Sequence, residues 1–150
     1  MERTFVMIKP DGVQRCLAGT TIKRFEDKGF KLAAMKLMRI SKELASEHYG
    51  EHVGKPFYES LISYITSAPV IAMVLEGNNA VASVRNMVGK TNPQEAAPGT
   101  IRNDHGQTTG RNLIHASDSL ASAEREIGIF FAPEELVDYT RIDEVWLYEE

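Results

Sequence analysis

The sequence predicts an α+β sandwich in which an antiparallel sheet is backed by helices. Three observations predict it. Short β-prone runs alternate with segments of helical periodicity. Val70 to Leu75 is a continuous apolar run of strand length bounded by Pro69 and Gly77, as a central strand covered on both faces requires. From Lys90 to Asn112 the apolar periodicity disappears, which leaves one long loop in an otherwise patterned chain.

Taken in order, Thr4-Phe5-Val6-Met7-Ile8 is a β-prone run closed by Lys9-Pro10-Asp11-Gly12, where proline and glycine predict a turn, so a strand delivers Lys9 at its end. Ile22 and Phe25 at helical spacing, with a stop at Gly29, predict a short helix; Lys31 to Ile40 then reads as a second strand. Ser41 can cap a helix running through His48 and Tyr49. A further helix is expected from Pro56, with Phe57, Leu61, Tyr64 and Ile65 on one face, and these two form a helical insert. After the central strand, Ala80, Val81, Val84, Met87 and Val88 mark a helix ending at Gly89. Leu113-Ile114-His115 reads as a short last strand, and Leu120, Ala123, Ile127 and Phe131 as a final helix that Ser119 can cap. The sum is a ferredoxin-like βαββαβ sandwich with a helical insert and a long loop bearing Arg102, Asp104, His105 and Arg111. The order of elements leaves the strand order open.

The bulk numbers agree. A chain of 150 residues, 43% apolar and with both charge signs mixed throughout, fits one compact domain spanning residues 1–150, and excludes disordered and collagen-like classes. Its net charge of −4, with an acid-rich stretch from Glu134 to Glu150 whose only base is Arg141, argues against a general nucleic-acid surface. Cys16 is the sole cysteine, so neither an internal disulfide nor a cysteine metal site is expected; a reducing compartment follows, with Cys16 itself read as small and semi-buried. No run near Met1 is long enough for a signal peptide or membrane span, and the expectation is a soluble cytoplasmic protein without a membrane partner.

Several chemical motifs fail on inspection. Gly89-Lys90-Thr91 looks like the tail of a phosphate-binding P-loop, but the leading glycine would fall at Val84, and Asn92-Pro93 breaks the chain where a helix should begin. Four histidines, His48, His52, His105 and His115, raise the question of a metal. His48 and His52 lie four apart without forming H-E-x-x-H, so both are expected on the surface. Ser117 and Asp118 beside His115 suggest a hydrolase triad, yet no G-x-S-x-G elbow occurs.

The segment Gly110-Arg111-Asn112-Leu113-Ile114-His115-Ala116-Ser117-Asp118 contains N-x-x-H-x-S-D and resembles the active-site signature of nucleoside diphosphate kinases. The resemblance extends through Lys9-Pro10-Asp11-Gly12, Lys55-Pro56-Phe57-Tyr58, Thr91-Asn92-Pro93, Pro98-Gly99-Thr100-Ile101-Arg102, Ser122-Ala123-Glu124-Arg125-Glu126-Ile127 and Trp146-Leu147-Tyr148-Glu149, in the family's order and spacing. It implies ping-pong chemistry, in which the γ-phosphate of a nucleoside triphosphate, usually ATP, passes through a phosphohistidine on Nδ1 of His115 to a nucleoside diphosphate. A nucleophilic histidine must be neutral and needs its second nitrogen bonded to fix the tautomer. The resemblance gives that role to Glu126, supported by Ser117.

It also makes Arg85, Thr91 and Arg102 phosphate ligands, with Tyr49 near the γ-phosphate. Lys9, counted with the catalytic set, and Asn112 are placed on the ribose hydroxyls. Phe57 becomes the aromatic on which any base stacks, with Leu61 on the pocket wall. Mg²⁺ is implied between the nucleotide phosphates, held through water to Asp118. Homo-oligomers are implied too, a hexamer in preference to a tetramer. Taken without the resemblance, Glu126 reads as a solvated helix carboxylate, Arg85 as a surface charge, and Tyr49 and Phe57 as packing residues. A noncatalytic scaffold of the same fold is the competing reading, and the completeness of the residue set speaks against it. Four positions depart from the family's habit: Asn103 and His105 replace a glycine and an aromatic, Cys16 another glycine, and Thr109 a small apolar residue. Asparagine at 103 is expected to keep a left-handed turn.

Overall fold

The computed structural model describes residues 1–149; Glu150, the last acid of the acid-rich stretch, lies outside the described residues. The chain runs β1 (Glu2–Ile8), α1 (Pro10–Gln14), α2 (Ala18–Lys28), β2 (Lys31–Met38), α3 (Lys42–His48), α4 (Tyr58–Ile65), β3 (Val70–Gly77), α5 (Ala80–Val88), α6 (Ile101–His105), β4 (Ile114–Ala116), α7 (Leu120–Phe130) and α8 (Glu144–Leu147). Strand order is β2-β3-β1-β4, every pairing antiparallel. This is the split β-α-β arrangement in which β3 inserts between β1 and β2.

Alternation along β1 divides the core in two. Phe5 and Met7 face one side of the sheet, with Ala72 and Val74 of β3, and are covered by Ala45, Ile62, Ile65 and Phe130 from α3, α4 and α7. Val6 and Ile8 face the other side with Met73 and Leu75, under Phe25 of α2, Val84 and Val88 of α5, and Ile101 of α6. Helices therefore cover both faces, which is why β3 is apolar without alternation. Ile114 and Ala116 of β4 belong to the second face, so His115 between them is directed to the first. That single alternation brings His115 toward the helical insert.

The caps fall where the sequence places them. Ser41 accepts from the Leu44 amide at 3.1 Å and Ser119 from the Ser122 amide at 3.0 Å, each worth about 1 kcal/mol to its helix. Gly29 ends α2 with φ 103, a left-handed value that suits glycine.

Five local expectations are corrected. Lys9 to Gly12 is not an open turn: Pro10, with its fixed φ, starts the one-and-a-half-turn helix α1. The insert's second helix starts at Tyr58 rather than Pro56. The long loop contains α6, capped by the Thr100 hydroxyl on the Asn103 backbone amide, so Asn103 is helical and its side-chain Nδ2 donates to the Ala96 carbonyl at 2.8 Å. No left-handed turn exists there. Cys16 is exposed rather than semi-buried, and it carries φ 59, the conformation that makes glycine usual at such a turn. Finally, Leu113 does not begin β4, because its φ of 75 takes it out of the extended region.

Candidate active site

His115 sits mid-strand in β4, opposite Met7 of β1, and Glu126 lies on the inward face of α7. Glu126 Oε1 is 2.7 Å from His115 Nε2 and accepts the Ser117 hydroxyl at 2.8 Å. Burial pushes the Glu126 carboxyl up, but the His115 contact and the Ser117 hydroxyl outweigh it and hold the group below the usual carboxylate range. An ionised Glu126 can only accept, so the imidazole proton belongs on Nε2 and the Nδ1 lone pair of a neutral ring is left available. Glu126 is 6% exposed, which rules out the solvated-carboxylate reading.

In front of His115 lies a pocket of about 540 Å³, whose walls include Tyr49, Arg85, Thr91, Asp118 and Glu126. Arg85 projects from α5 and donates to the Ala116 carbonyl at 3.0 Å, so it is anchored beside His115 rather than waving at the surface. Tyr49 follows α3, is 8% exposed, and its hydroxyl has no partner among the described residues. Asp118 is exposed at the start of the β4–α7 turn; a hydrogen bond from Ser122 holds it below its ordinary value.

A second, largely apolar pocket of about 450 Å³ adjoins through Thr91, which lines both. Phe57 and Leu61 form one wall, Lys9 and Asn112 the other. Phe57 is 48% exposed, so it is not a core residue. Lys9 donates to the Asn112 side-chain oxygen at 2.9 Å, and Asn112 in turn donates to the Thr91 carbonyl at 2.9 Å. Burial, then the Arg102 charge, lower Lys9 to about 8.

Arg102 is brought near this group but lies 5% exposed beneath it. Its guanidinium donates to the carbonyls of Gly89 at 3.0 Å, Asn112 at 3.3 Å and Ile114 at 2.6 Å. Of its five N–H groups, two are left for any other acceptor.

One residue of the site was misread from sequence. His48 is 5% exposed, not superficial, and its ring stands edge to face with His115 at 5.0 Å and 88°. Phe5, Tyr49 and Phe130 enclose it, neither ring nitrogen has a partner among the described residues, and burial first, then the neighbouring His115 ring, lower it to about 3. The signal was present: Ala45 and His48 of α3, with Tyr49 just after it, form one buried stripe at helical spacing. His52 is half-buried beside Phe57, and His105 lies on α6. No group of three or more metal-capable side chains occurs among the described residues, and no helix there is long and apolar enough to cross a membrane.

A braced histidine with a free nitrogen, facing a polar pocket with an anchored arginine and adjoining an aromatic-walled cleft, defines the class: a site for nucleophilic transfer of an anionic group. A family model described as nucleoside diphosphate kinase matches residues 2–136. The nucleoside diphosphate kinase of Staphylococcus carnosus is 66% identical over 149 residues, covering 99% of each chain, and that of Archaeoglobus fulgidus is 60% identical over 150 residues, covering 100% of this chain and 99% of the other. The solved structure of the halophilic enzyme from Halobacterium salinarum in complex with CDP superposes with a TM-score of 0.97 at 55% identity, over 99% of each chain. The chain belongs to the nucleoside diphosphate kinase family.

Proposed function

We propose that this protein is a nucleoside diphosphate kinase that passes the γ-phosphate of a nucleoside triphosphate to a nucleoside diphosphate by way of a phosphohistidine on Nδ1 of His115. The observation that carries the reading is the 2.7 Å contact between His115 Nε2 and Glu126, backed by Ser117 at 2.8 Å. It supports a proton on Nε2, the nitrogen away from substrate, with Nδ1 as the nucleophile. The nucleotide enters with its base on Phe57 and Leu61 and its ribose against Lys9 and Asn112. Its phosphates run toward His115 past Thr91, the residue common to both pockets.

In-line transfer spreads charge over the equatorial oxygens, and Arg85, Thr91, the unused donors of Arg102 and the Tyr49 hydroxyl are the groups to meet it. Tyr49 suits this role because its buried hydroxyl lacks a partner within the chain. Mg²⁺ bound to the nucleotide would neutralise phosphate charge, and an exposed pocket carboxylate such as Asp118 fits a cation that keeps most of its waters. After the diphosphate leaves, a second nucleoside diphosphate occupies the same pocket and recovers the phosphate. Stacking on Phe57 reads no base edge, so purine and pyrimidine nucleotides are both substrates.

The same reading makes residues 1–150 one catalytic domain, working in the cytoplasm as a homo-oligomer, hexamer in preference to tetramer. Exposed Met35 and Leu37 on the outer strand β2 support self-association. Size-exclusion chromatography with light scattering tests it; a monomer would refute it.

The chemical test is incubation with γ-labelled ATP and magnesium. Label bound to the protein should be lost in acid and retained in alkali, and His115→Ala should neither take up label nor exchange phosphate between ATP and a second diphosphate. Acid-stable label, or an active His115→Ala protein, overturns the assignment.

A further inference from the structure

Between Asn112, on the wall of the apolar pocket, and His115, facing the polar one, the chain turns through Leu113 at φ 75. The Ile114 amide donates back to the Asn112 carbonyl at 2.9 Å, so Leu113 is the centre of a γ-turn in its rare positive-φ form. A branched side chain in that region is strained and persists only where its surroundings over-determine it.

The surroundings here are specific. The Leu113 amide donates to Asp11 Oδ2 at 3.0 Å, and the Leu113 carbonyl accepts from the Lys9 amide at 2.8 Å. Gly12 lets α1 approach that closely, since a Cβ there would lie 3.0 Å from the Leu113 carbonyl oxygen and 2.7 Å from Ile8 Cγ2. Asp11 is itself held, because its other oxygen accepts the Tyr64 hydroxyl from α4. Burial first, then Asp11, push the Tyr64 phenol upward, which keeps it the donor of that bond. Arg111 lies over the Tyr64 ring at 4.2 Å from its centroid, closing the link from α4 back to the loop just before the turn.

We propose that Asp11 and Tyr64 are positioning residues: through the Asp11–Leu113 amide bond they hold the strained γ-turn that sets His115 relative to the nucleotide-binding pair Lys9 and Asn112. Asp11 lines neither pocket, and Tyr64 lines only the apolar one, not the pocket that His115 faces. Their action is on alignment: a slack turn leaves the nucleotide bound but its γ-phosphate off the line of attack. The inference rests on the phosphohistidine reading.

Phosphotransfer from ATP to GDP, equilibrium binding of ADP, and thermal midpoints for a set of variants test it. Asp11→Ala should lower kcat by about 10- to 100-fold while ADP affinity stays within about threefold, the signature of misalignment rather than lost binding. Tyr64→Phe keeps the ring under Arg111 and removes only the hydroxyl; it should lower kcat about two- to tenfold with the same split. The decisive pair is built on Asp11→Ala. Both Leu113→Gly and Leu113→Ala lose the side chain, but only glycine accepts φ 75 unaided, so the glycine double variant should be the faster. A purely structural role would separate the two double variants in thermal midpoint but not in kcat of the folded protein, because strain at φ 75 would then cost stability alone.

Asp11→Ala with kcat within twofold of the parent protein, loss of kcat and ADP binding together, or a glycine double variant no faster than the alanine one overturns the proposal. If Asp11→Ala does not fold, Tyr64→Phe decides, and an unchanged kcat there overturns it. His115→Ala, assayed alongside, reports on the phosphohistidine reading separately.

Discussion

The two sides of the main pocket are built on opposite plans. On the β4–α7 side, Glu126 Oε1 is shared by His115 and Ser117, the Ser117 hydroxyl also reaches the Phe5 carbonyl at 3.3 Å, and the Arg85 guanidinium rests on Ala116. On the α3 side, both nitrogens of His48 and the hydroxyl of Tyr49 are buried with no partner among the described residues. A buried polar group left unpaired is destabilising by roughly 1–3 kcal/mol. The contrast teaches that one wall is finished as protein, whereas the other retains polar groups whose bonding the protein leaves incomplete. That is the arrangement expected when one wall fixes a nucleophile and the other meets a transient charged substrate.

The largest effect should come from spoiling the finished wall. In Glu126→Gln the carboxamide can turn its NH₂ toward Nε2, which draws the lone pair there and puts the proton on Nδ1. A fall in kcat of about 100-fold is expected, with ADP affinity little changed. Stopped-flow measurement of His115 phosphorylation checks it, and an undiminished rate would mean the brace does not select the tautomer.

The unfinished wall should show itself next, in stability. His48 is lowered in the folded state to about 3, so below the ordinary histidine value the unfolded chain takes up a proton that the folded one refuses. His48 therefore has no such effect above that ordinary value and drains stability progressively as pH falls toward 3. At pH 5 the drain amounts to about 2 kcal/mol relative to pH 7.5. Denaturant unfolding of the parent protein and His48→Phe at both pH values should show the variant losing less on acidification. Equal losses would remove His48 as the acid-sensitive group.

Phe57 offers a smaller test, of binding alone. Stacking is worth about 1–3 kcal/mol per base, so Phe57→Ala should raise KM about tenfold with kcat within about twofold. ATP, GTP and CTP should suffer alike. A loss confined to one base would mean that the cleft reads base edges.

How much of this was legible without coordinates differs between the walls for a physical reason. Strand and helix periodicity are local, so the strands, the longer helices and the Ser41 and Ser119 caps could be read directly, whereas α1, α6 and α8 are too short to show a period. The finished wall was legible only through the resemblance carried by N-x-x-H-x-S-D and the segment around Glu126, since taken alone Glu126 reads as a solvated helix carboxylate. His48 escaped because histidine is an ordinary surface residue, and its burial depends on Phe5 and Phe130 arriving from distant elements. The γ-turn at Leu113 escaped for a similar reason: leucine signals no positive φ, and the bond imposing it comes from Asp11, 102 residues away. Arg102 was expected as a phosphate ligand through the resemblance, and its role as the buried donor to three backbone carbonyls was not legible.

Lys9 joins the two plans, since it is bonded to Asn112 yet remains a cation with spare donors, and it supplies the smallest effect. Burial and Arg102 bring it to about 8 in the free protein. Bound phosphates must raise that value again, because they favour the charged form. Below pH 8 Lys9 is charged before and after binding, and affinity is insensitive to its titration. Above pH 8 the free protein must take up a proton to bind, and affinity declines. ADP should bind about threefold more weakly at pH 8.5 than at 7.5, with proton uptake visible when calorimetry is repeated in buffers of different ionisation enthalpy. Lys9→Met should bind more weakly throughout but lose this alkaline limb. If the limb survives in Lys9→Met, the titrating group lies elsewhere, and Lys9 belongs with the finished wall.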